Sequence, residues 1–293
     1  LGVTSSGEAY RFIAERADLV LILGASFGER TSYLWDAELL AGKRIVQVDL
    51  DARQLGKVVR TDLAIQGDIG AVLSAVLSHL PNEVLDATDR VPAEPNRSQE
   101  PGDYALFREG FATVRYFFHE LARRLPQDTL VFDDNIIFAQ NFYRVSQANG
   151  YYPNTGISAL GHAIPAAIGA RLAMPQARAV FAILGDGGFQ MCGMELMTAV
   201  NYGLPLNVVL FSNATLGLVR KNQYQHYRQR YIDCDFVNPD FALLARAFGL
   251  AYRRVLNEAD VDAVFAEMDL EGGINLIEIV LARDLFPNYS SRR

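Results

Sequence analysis

Short apolar runs rich in β-branched residues alternate with segments of helical periodicity along most of this chain, and this alternation constrains the fold most strongly. The stretches ADLVLILGAS (17–26) and KRIVQVDLD (43–51) are typical of strands, whereas DIGAVLSAVLSHL (68–80) has the spacing of a helix. Strands that alternate with helices indicate parallel sheets, because each helix returns the chain to the same edge. The predicted fold class is therefore α/β, with two doubly wound parallel-sheet domains.

The second part of the chain continues this alternation after a polar segment with three prolines, VPAEPNRSQEPGD (91–103). That segment cannot bury enough surface to form an element, so it is interpreted as a linker. The predicted domains are 1–90, which holds two or three strands and is interpreted as an incomplete sheet domain, and 104–293. In the second domain we predict helices at 104–125, about 161–173, 193–203 and about 239–248, and strands at 129–134, 178–184, 206–212 and 274–282.

Charge and cysteine content argue against several classes of function. A formal charge of −7 argues against a nucleic-acid or anionic-membrane surface, which needs clustered Lys and Arg. Cys192 and Cys234 are not in a CxxC pair, so neither a disulfide framework nor a thiolate zinc site is indicated. The sequence contains no apolar run of about 20 residues and no signal peptide pattern. We therefore expect a cytoplasmic protein that acts on small molecules, with no membrane and no nucleic-acid partner.

The segment LGDGGFQMCGMELMTAVNYGLPLNVVLFSNATLG (184–217) places Asp186 after one predicted strand and Asn213 after the next. Loops at the carboxyl ends of neighbouring parallel strands lie side by side, so these two side chains are expected to converge. A carboxylate and an amide oxygen are hard ligands that suit Mg²⁺. The segment therefore predicts a metal site, and the alternative is an ordinary turn followed by a loop asparagine.

The glycines of the GDGG motif predict the second half of this site. Gly185, Gly187 and Gly188 have no Cβ atoms, so backbone N–H groups can approach a phosphate at the start of the helix that follows. Together with the metal ligands, they indicate a site for a metal-bound diphosphate.

These motifs resemble the thiamine-diphosphate signature of the acetolactate synthase, benzoylformate decarboxylase and pyruvate decarboxylase family. The segment GISALGHAIPAAIGARLAMP (156–175) is similar to the one that these enzymes place before the signature. Residues 18–57 resemble their central domain, so the resemblance covers nearly the whole chain. It implies thiamine diphosphate and Mg²⁺ as cofactors, and decarboxylation or carboligation of a 2-oxo acid as the reaction.

The resemblance also implies which residues hold the cofactor. The metal ligands are the side chains of Asp186 and Asn213 and the main-chain carbonyl of Thr215. The cofactor-binding set consists of Gly185 and the backbone groups around Gly187, Gly188, Leu216 and Gly217, which would hold the diphosphate.

Three further residues are candidate catalytic groups. Leu160 matches the bulky apolar residue that supports the cofactor in a bent form, with its pyrimidine amino group beside C2, and the alternative is a core leucine. His162 is a candidate proton donor near the substrate, or else a packing or capping histidine. Gln190 matches acetolactate synthases and is expected to face the substrate, unless it is simply solvated.

In this family a glutamate from an N-terminal pyrimidine-binding domain reaches the cofactor across a subunit interface. No part of these 293 residues resembles that domain. The resemblance therefore implies that the chain is inactive alone, that its partner is a pyrimidine-binding domain from a missing N-terminal part or another chain, and that the protein is a homodimer or homotetramer.

Departures from the family pattern leave the substrate open. Asn222 stands where acetolactate synthases usually have tryptophan, and 133–143 lacks their Gln-His pair. The KNQ sequence at 221–223 is similar to sulfoacetaldehyde acetyltransferases, and the basic, aromatic stretch 217–231 either meets an anionic substrate group or is a solvated helix face.

The central domain raises a further cofactor question. Arg30 and Asp49 fall in stretches that resemble the region where some relatives hold FAD or ADP. FAD or ADP is therefore a candidate additional cofactor. The remaining alternative for the whole chain is a noncatalytic nucleotide-binding subunit of the same fold.

Overall fold

A computed structural model describes residues 8–28, 32, 35–81, 110–154 and 158–287 of the chain. The chain divides into two compact units, Leu1–Tyr104 with Arg292–Arg293, and Ala105–Ser291. The segment 91–103, predicted as a linker, lies outside the described residues.

The first unit contains a three-stranded parallel sheet with strand order β1-β2-β3. Its helices and strands are α1 (Glu8–Arg16), β1 (Leu19–Leu23), β2 (Arg44–Asp49), β3 (Leu63–Gln66) and α2 (Ile69–His79). Asp68 begins α2 by accepting a hydrogen bond from the backbone N–H of Ala71 at 2.9 Å. Within this unit Ile45 and Val48 are buried, whereas Leu19 and Leu21 on the edge strand are each 48% exposed.

The second unit contains a six-stranded sheet with the order β5-β4-β6-β7-β9-β8, in which every neighbouring pair is parallel. Its strands are β4 (Thr129–Asp133), β5 (Gly150–Pro153), β6 (Ala179–Gly185), β7 (Leu206–Ser212), β8 (Ala251–Val255) and β9 (Ile274–Val280). Its α-helices are α3 (Ala112–Arg124), α4 (Ile137–Phe142), α5 (Ala163–Ala173), α6 (Asp186–Cys192), α7 (Leu196–Tyr202), α8 (Gly217–His226), α9 (Phe241–Phe248) and α10 (Glu258–Glu267).

Both faces of this sheet are covered, because alternate residues of its central strands pack against different helices. Val180, Ala182 and Leu184 of β6 share one core cluster with buried residues of α5. On β7, Phe211 contacts Phe118 and Phe138, with ring centroids 6.4 and 5.0 Å apart. A parallel sheet buried on both faces is the doubly wound arrangement, and the predicted α/β class is confirmed.

The strand order reverses beside the candidate site. From β4 the chain moves outward to β5, then returns past β4 to β6 and continues in the opposite direction to β7. Doubly wound sheets bind ligands at such a reversal, outside the carboxyl ends of the strands. The loops after β4, β6 and β7 are therefore the segments expected to bind a ligand.

Several predicted boundaries differ from the structure. The helix predicted at 193–203 begins earlier, as α6, and reaches α7 through a 3₁₀ turn at Gly193–Glu195, so Gly187 and Gly188 of the GDGG motif are already helical. The helix predicted at 104–125 is described only as α3, because 101–109 lie outside the described residues. None of the described helices has both the length and the apolar character needed to cross a bilayer.

Candidate functional site

Asp186 and Asn213 emerge from adjacent strands at the same edge of the sheet. Strands β6 and β7 pair in parallel, with Gly185 opposite Phe211 in the register. Asp186 directly follows that pair on one strand, and Asn213 follows it by two residues on the other. The structure therefore brings together the two residues that the sequence predicts as metal ligands, and their roles stay a prediction.

The Asp186 carboxylate is buried, with only 1% of the residue exposed, and one of its oxygens holds the neighbouring loop. Oδ2 accepts hydrogen bonds from the backbone N–H groups of Asn213 and Ala214 at 2.8 and 2.6 Å, and from Asn238 Nδ2 at 2.7 Å. Oδ1 is 3.0 Å from the backbone N of Gly187. Among the described residues, Oδ2 thus accepts three donors and Oδ1 accepts only the Gly187 N–H, so Oδ1 is the oxygen with more room for a cation.

The loop after β7 has an uncommon backbone that is held on both sides. Ala214 has a φ of +53°, a left-handed conformation that side chains disfavour and that occurs often at functional sites. Thr215 forms an antiparallel bridge with Asp235, whose hydrogen bonds use the carbonyls of Ala214 and Cys234. The Thr215 carbonyl takes no part in that bridge, although its hydroxyl donates to Cys234 O at 2.9 Å.

Packing explains why glycine is needed at positions 187 and 188. A Cβ atom on Gly187 would lie 2.6 Å from Leu216 Cδ2, and one on Gly188 would lie 2.4 Å from Asp134 Oδ2. A Cβ on Gly185 would make only an ordinary contact, 3.7 Å from Ile136 Cδ1. The first turn of α6 therefore packs directly against two neighbouring loops, one of which contains the predicted diphosphate residue Leu216.

The donor set at this edge fits Mg²⁺. It consists of the Asp186 carboxylate, the Asn213 amide and the Thr215 carbonyl, which are hard oxygen groups. Among the described residues, no three His, Cys, Asp or Glu side chains come together as metal ligands. A magnesium ion bound here would need oxygens from a ligand or water to complete its octahedron, as Mg²⁺ commonly does. Gly217 lies beside the Asn213 amide, because a Cβ at Gly217 would be 3.4 Å from Asn213 Nδ2.

Leu160 and His162 lie in the turn that leads into α5. Leu160 is 37% exposed, so the structure contradicts the alternative of a fully buried core leucine. Gly161 has a φ of +88°, and a Cβ there would lie 3.4 Å from Met191 Cβ on α6. His162 is exposed and makes no side-chain capping bond at the start of α5, which contradicts the capping alternative.

Gln190 is exposed on α6, and its side chain donates to Asn238 Oδ1 at 3.1 Å. Asn238 in turn donates to Asp186 Oδ2 and lies 3.3 Å from Ser212 Oγ. Gln190 therefore contacts the residue that orients the candidate metal ligand, and its predicted role toward the substrate stays a prediction.

Three polar residues at this edge were not among the candidates from the sequence. They are Asn238, which contacts Asp186, and the pair Asp134 and Asn154, which contact the turn containing Leu160. Asp134 had a visible signal, because it is a second acidic residue at the end of a predicted strand. Asn154 and Asn238 follow irregular segments, and their positions depend on tertiary packing.

Asp133, the last residue of β4, is a buried acid beside this edge. Burial raises its pKa to about 6, although hydrogen bonds from the Ile136 N–H, Tyr151 and Gln140 oppose that shift. The Tyr151 hydroxyl donates to Asp133 Oδ2 at 2.8 Å. Asp133 therefore connects β5 and α4 to β4 through hydrogen bonds, next to the loop that starts with Asp134.

Two consecutive basic residues of the stretch 217–231, Arg220 and Lys221, are buried and do not lie on a solvated helix face. Arg220 binds Asp235 at 2.6 Å and Asp284 at 2.7 Å, and its guanidinium lies 3.6 Å from the ring centroid of Tyr231. Lys221 is only 1% exposed, and burial lowers its pKa to about 8. Arg220 is thus committed to contacts within the chain, which argues against its use for an anionic substrate.

The nucleotide prediction in the first unit stays untested. Asp49 ends β2 and accepts the backbone N–H of Asp51 at 2.9 Å, which is a local turn contact. Arg30 lies outside the described residues.

Comparisons with known protein families match both parts of the chain. Residues 1–76 match the model of the thiamine pyrophosphate enzyme central domain. Residues 134–279 match the model of the C-terminal domain that binds thiamine pyrophosphate, and this range contains Asp186, Asn213 and Thr215.

Several acetolactate synthases are among the curated relatives of this chain. The chain is 31% identical to an acetolactate synthase of Mycobacterium bovis over 84% of its own length and 42% of that protein. It is 31% identical to the acetolactate synthase large subunit of Lactococcus lactis over 82% of its length and 42% of that protein. It is 28% identical to the isozyme 2 large subunit of Escherichia coli over 93% of its length and 49% of that protein. The chain therefore spans less than half the length of these relatives, and with its two matched domains it belongs to the thiamine pyrophosphate enzyme family.

Proposed function

We propose that this chain supplies the diphosphate-binding half of a thiamine-diphosphate- and Mg²⁺-dependent enzyme that decarboxylates or ligates a 2-oxo acid. The observation that carries the proposal is the contact of the buried Asp186 with the backbone of the loop at Asn213, at the reversal of the sheet. The other two expected ligands, Asn213 and Thr215, belong to that loop. The names of the relatives support an acetolactate synthase-like reaction.

The residues of this chain have separate tasks in that reaction. Asp186 Oδ1, the Asn213 amide oxygen and the Thr215 carbonyl would bind Mg²⁺, whose positive charge would hold the diphosphate. Backbone groups at Gly187, Gly188, Leu216 and Gly217 would contact the diphosphate. Thiamine diphosphate, when bound, supplies a thiazolium that adds to the substrate carbonyl and accepts the electrons released with CO₂.

The turn before α5 would act at the reacting end of the cofactor. The partly exposed Leu160 is available to support a bent cofactor, and the exposed His162 is available for proton transfer to a substrate. Gln190 would contribute to the substrate side of the same site.

We further propose that the pyrimidine-binding part of the site, with its glutamate, comes from outside these 293 residues, in the same polypeptide or in a partner. The coverage of 42 to 49% of the relatives' length supports this proposal. The chain alone would then be inactive, and the working enzyme would be a cytoplasmic homodimer or homotetramer.

A second candidate is acyl transfer of the sulfoacetaldehyde acetyltransferase type, which the stretch Lys221, Asn222 and Gln223 favours. A screen of 2-oxo acids, and of sulfoacetaldehyde with phosphate, separates the candidates when it uses the complete protein with thiamine diphosphate and Mg²⁺. Release of CO₂ with a ligated product supports the first, and formation of acetyl phosphate with release of sulfite from sulfoacetaldehyde and phosphate supports the second. If the wild type binds the cofactor but converts none of these substrates, the noncatalytic alternative is favoured.

A further inference from the structure

Asp134 is a wholly buried carboxylate between the candidate cofactor site and the turn that contains Leu160. Asp134 is the residue directly after β4, and it has no exposed surface. Oδ2 accepts the backbone N–H of Gly161 at 2.7 Å, and Oδ1 accepts that of His162 at 3.0 Å. The backbone N–H of Asp134 donates to Ile183 O at 2.8 Å, so the residue remains attached to the sheet.

Asn154 holds the same turn from its other side. Its Nδ2 donates to the carbonyl of Ala159 and lies 3.4 Å from Asp134 Oδ1. Its backbone N–H donates to Asp133 O at 3.0 Å, which attaches Asn154 to the end of β4. The peptide groups on both sides of Leu160 are therefore fixed to the edge of the sheet.

A third contact connects Asp134 with the metal-binding segment. A Cβ on Gly188 would lie 2.4 Å from Asp134 Oδ2, so the carboxylate packs against the first turn of α6. That turn starts with Asp186. Asp134 thus touches both the segment that would hold the diphosphate end of the cofactor and the segment that presents Leu160.

We propose that Asp134 is a positioning residue, which sets the distance between Leu160 and the metal-binding turn. This inference rests on the proposed function and identifies Asp134 as the side chain that positions Leu160 in the proposed site. A buried carboxylate is retained only where hydrogen bonds replace its lost hydration, and bonds to a charged acceptor are shorter and stronger than neutral ones. An apolar residue would fill the same space without fixing the peptide groups at Gly161 and His162.

Hydrogen exchange in the cofactor-free protein provides the first test. We expect the amides of Gly161 and His162 to exchange at least about tenfold faster in Asp134→Ala, and to a smaller extent in Asp134→Asn. Asp269→Asn is the control at an exposed site, because Asp269 also accepts two backbone N–H groups, from Glu271 and Gly272, but before β9 at the other end of the sheet. The control should leave the exchange of the turn unchanged, and unchanged exchange in both Asp134 variants would overturn the proposal.

The second test separates positioning from binding in the complete protein. In Asp134→Asn we expect Mg²⁺-dependent thiamine diphosphate affinity within about twofold of the wild type. We expect the rate of deuterium exchange at the cofactor C2 to fall about 10- to 100-fold, since small misplacements have effects of that size. Leu160→Ala should reduce the same rate without accelerating exchange of the turn amides.

The two proposals fail in different ways. A wild type that binds no thiamine diphosphate with Mg²⁺ would reject the proposed function. A wild type that binds it, with C2 exchange in Asp134→Asn equal to the wild type or reduced only in proportion to a lost affinity, would reject the positioning role alone. If Asp134→Ala does not fold, the Asn variant, which keeps the side-chain volume, decides the question.

Discussion

The Asp186 carboxylate accepts a 2.6 Å hydrogen bond from the backbone N–H of Ala214, a residue held at a φ of +53°. A residue expected to bind a metal thus also fixes the loop that carries the other two expected ligands. Asp186 Oδ2 bonds the backbone of that loop, whereas Oδ1 accepts only the N–H of Gly187 within the described part of the chain.

Asn238 is expected to control metal affinity through Asp186. Asn238→Ala removes the 2.7 Å bond to Asp186 Oδ2, so the carboxylate loses one of the groups that orient it. We expect Mg²⁺ affinity, measured by calorimetry at saturating thiamine diphosphate, to fall about 10- to 100-fold.

Asn257→Ala provides the control for that measurement. Asn257 caps α10, so its loss should lower the free energy of unfolding by about 1 kcal/mol and leave Mg²⁺ affinity unchanged. Equal Mg²⁺ affinities in the Asn238 variant and the wild type would contradict the orienting role.

Gly188 is expected to tolerate no side chain. Gly188→Ala would place a Cβ 2.4 Å from Asp134 Oδ2, and we expect the free energy of unfolding in urea to fall by about 1–3 kcal/mol. Gly169→Ala on α5 is the matched control, since nothing lies within 4 Å of its Cβ and alanine favours the helix. That variant should gain about 0.5–1 kcal/mol.

A double variant checks the cause of the Gly188 effect. If the clash with Asp134 is responsible, Gly188→Ala combined with Asp134→Ala should lose less stability than the sum of the single changes. If the stability losses of the two single variants simply add, the destabilisation in Gly188→Ala has a cause other than contact with Asp134.

Asp133 is expected to make stability fall as pH rises. Its folded pKa of about 6 lies above the ordinary value of 3.8 for an aspartate side chain, so the native state binds the proton more tightly. The resulting stabilisation is fully present below pH 3.8 and is lost as pH rises through about 6. Relative to Asp133→Asn, the wild type should therefore lose up to about 3 kcal/mol of unfolding free energy between pH 4 and pH 7. Urea unfolding of both proteins at these pH values measures the difference, and parallel pH profiles would contradict the raised pKa.

The sequence pattern was most informative for the long central elements. Strands β6 and β7 are continuous apolar runs because both of their faces are buried, and their ends locate Asp186 and Asn213 without any structure. The short strands β3, β5 and β8 were not predicted. Only Val255 of β8 is buried, so that strand shows no long apolar run.

The sequence pattern could not predict where α6 begins or which groups Asp134 contacts. Glycines usually predict a turn, but here Gly187 and Gly188 lie in a helix. They are glycines because Leu216 and Asp134 occupy the space that side chains would need. Those neighbours come from other loops, and local propensity contains no information about them.

Calorimetric titration of the complete protein with thiamine diphosphate, with and without Mg²⁺, tests the central claim most directly. Thermal unfolding of each variant establishes that it is folded, and Asp269→Asn is the carboxylate control at an exposed site. The account predicts Mg²⁺-dependent binding in the wild type and the control, weakened by more than about 100-fold in Asp186→Ala. Binding that needs no divalent cation, or that a folded Asp186→Ala retains in full, would contradict it.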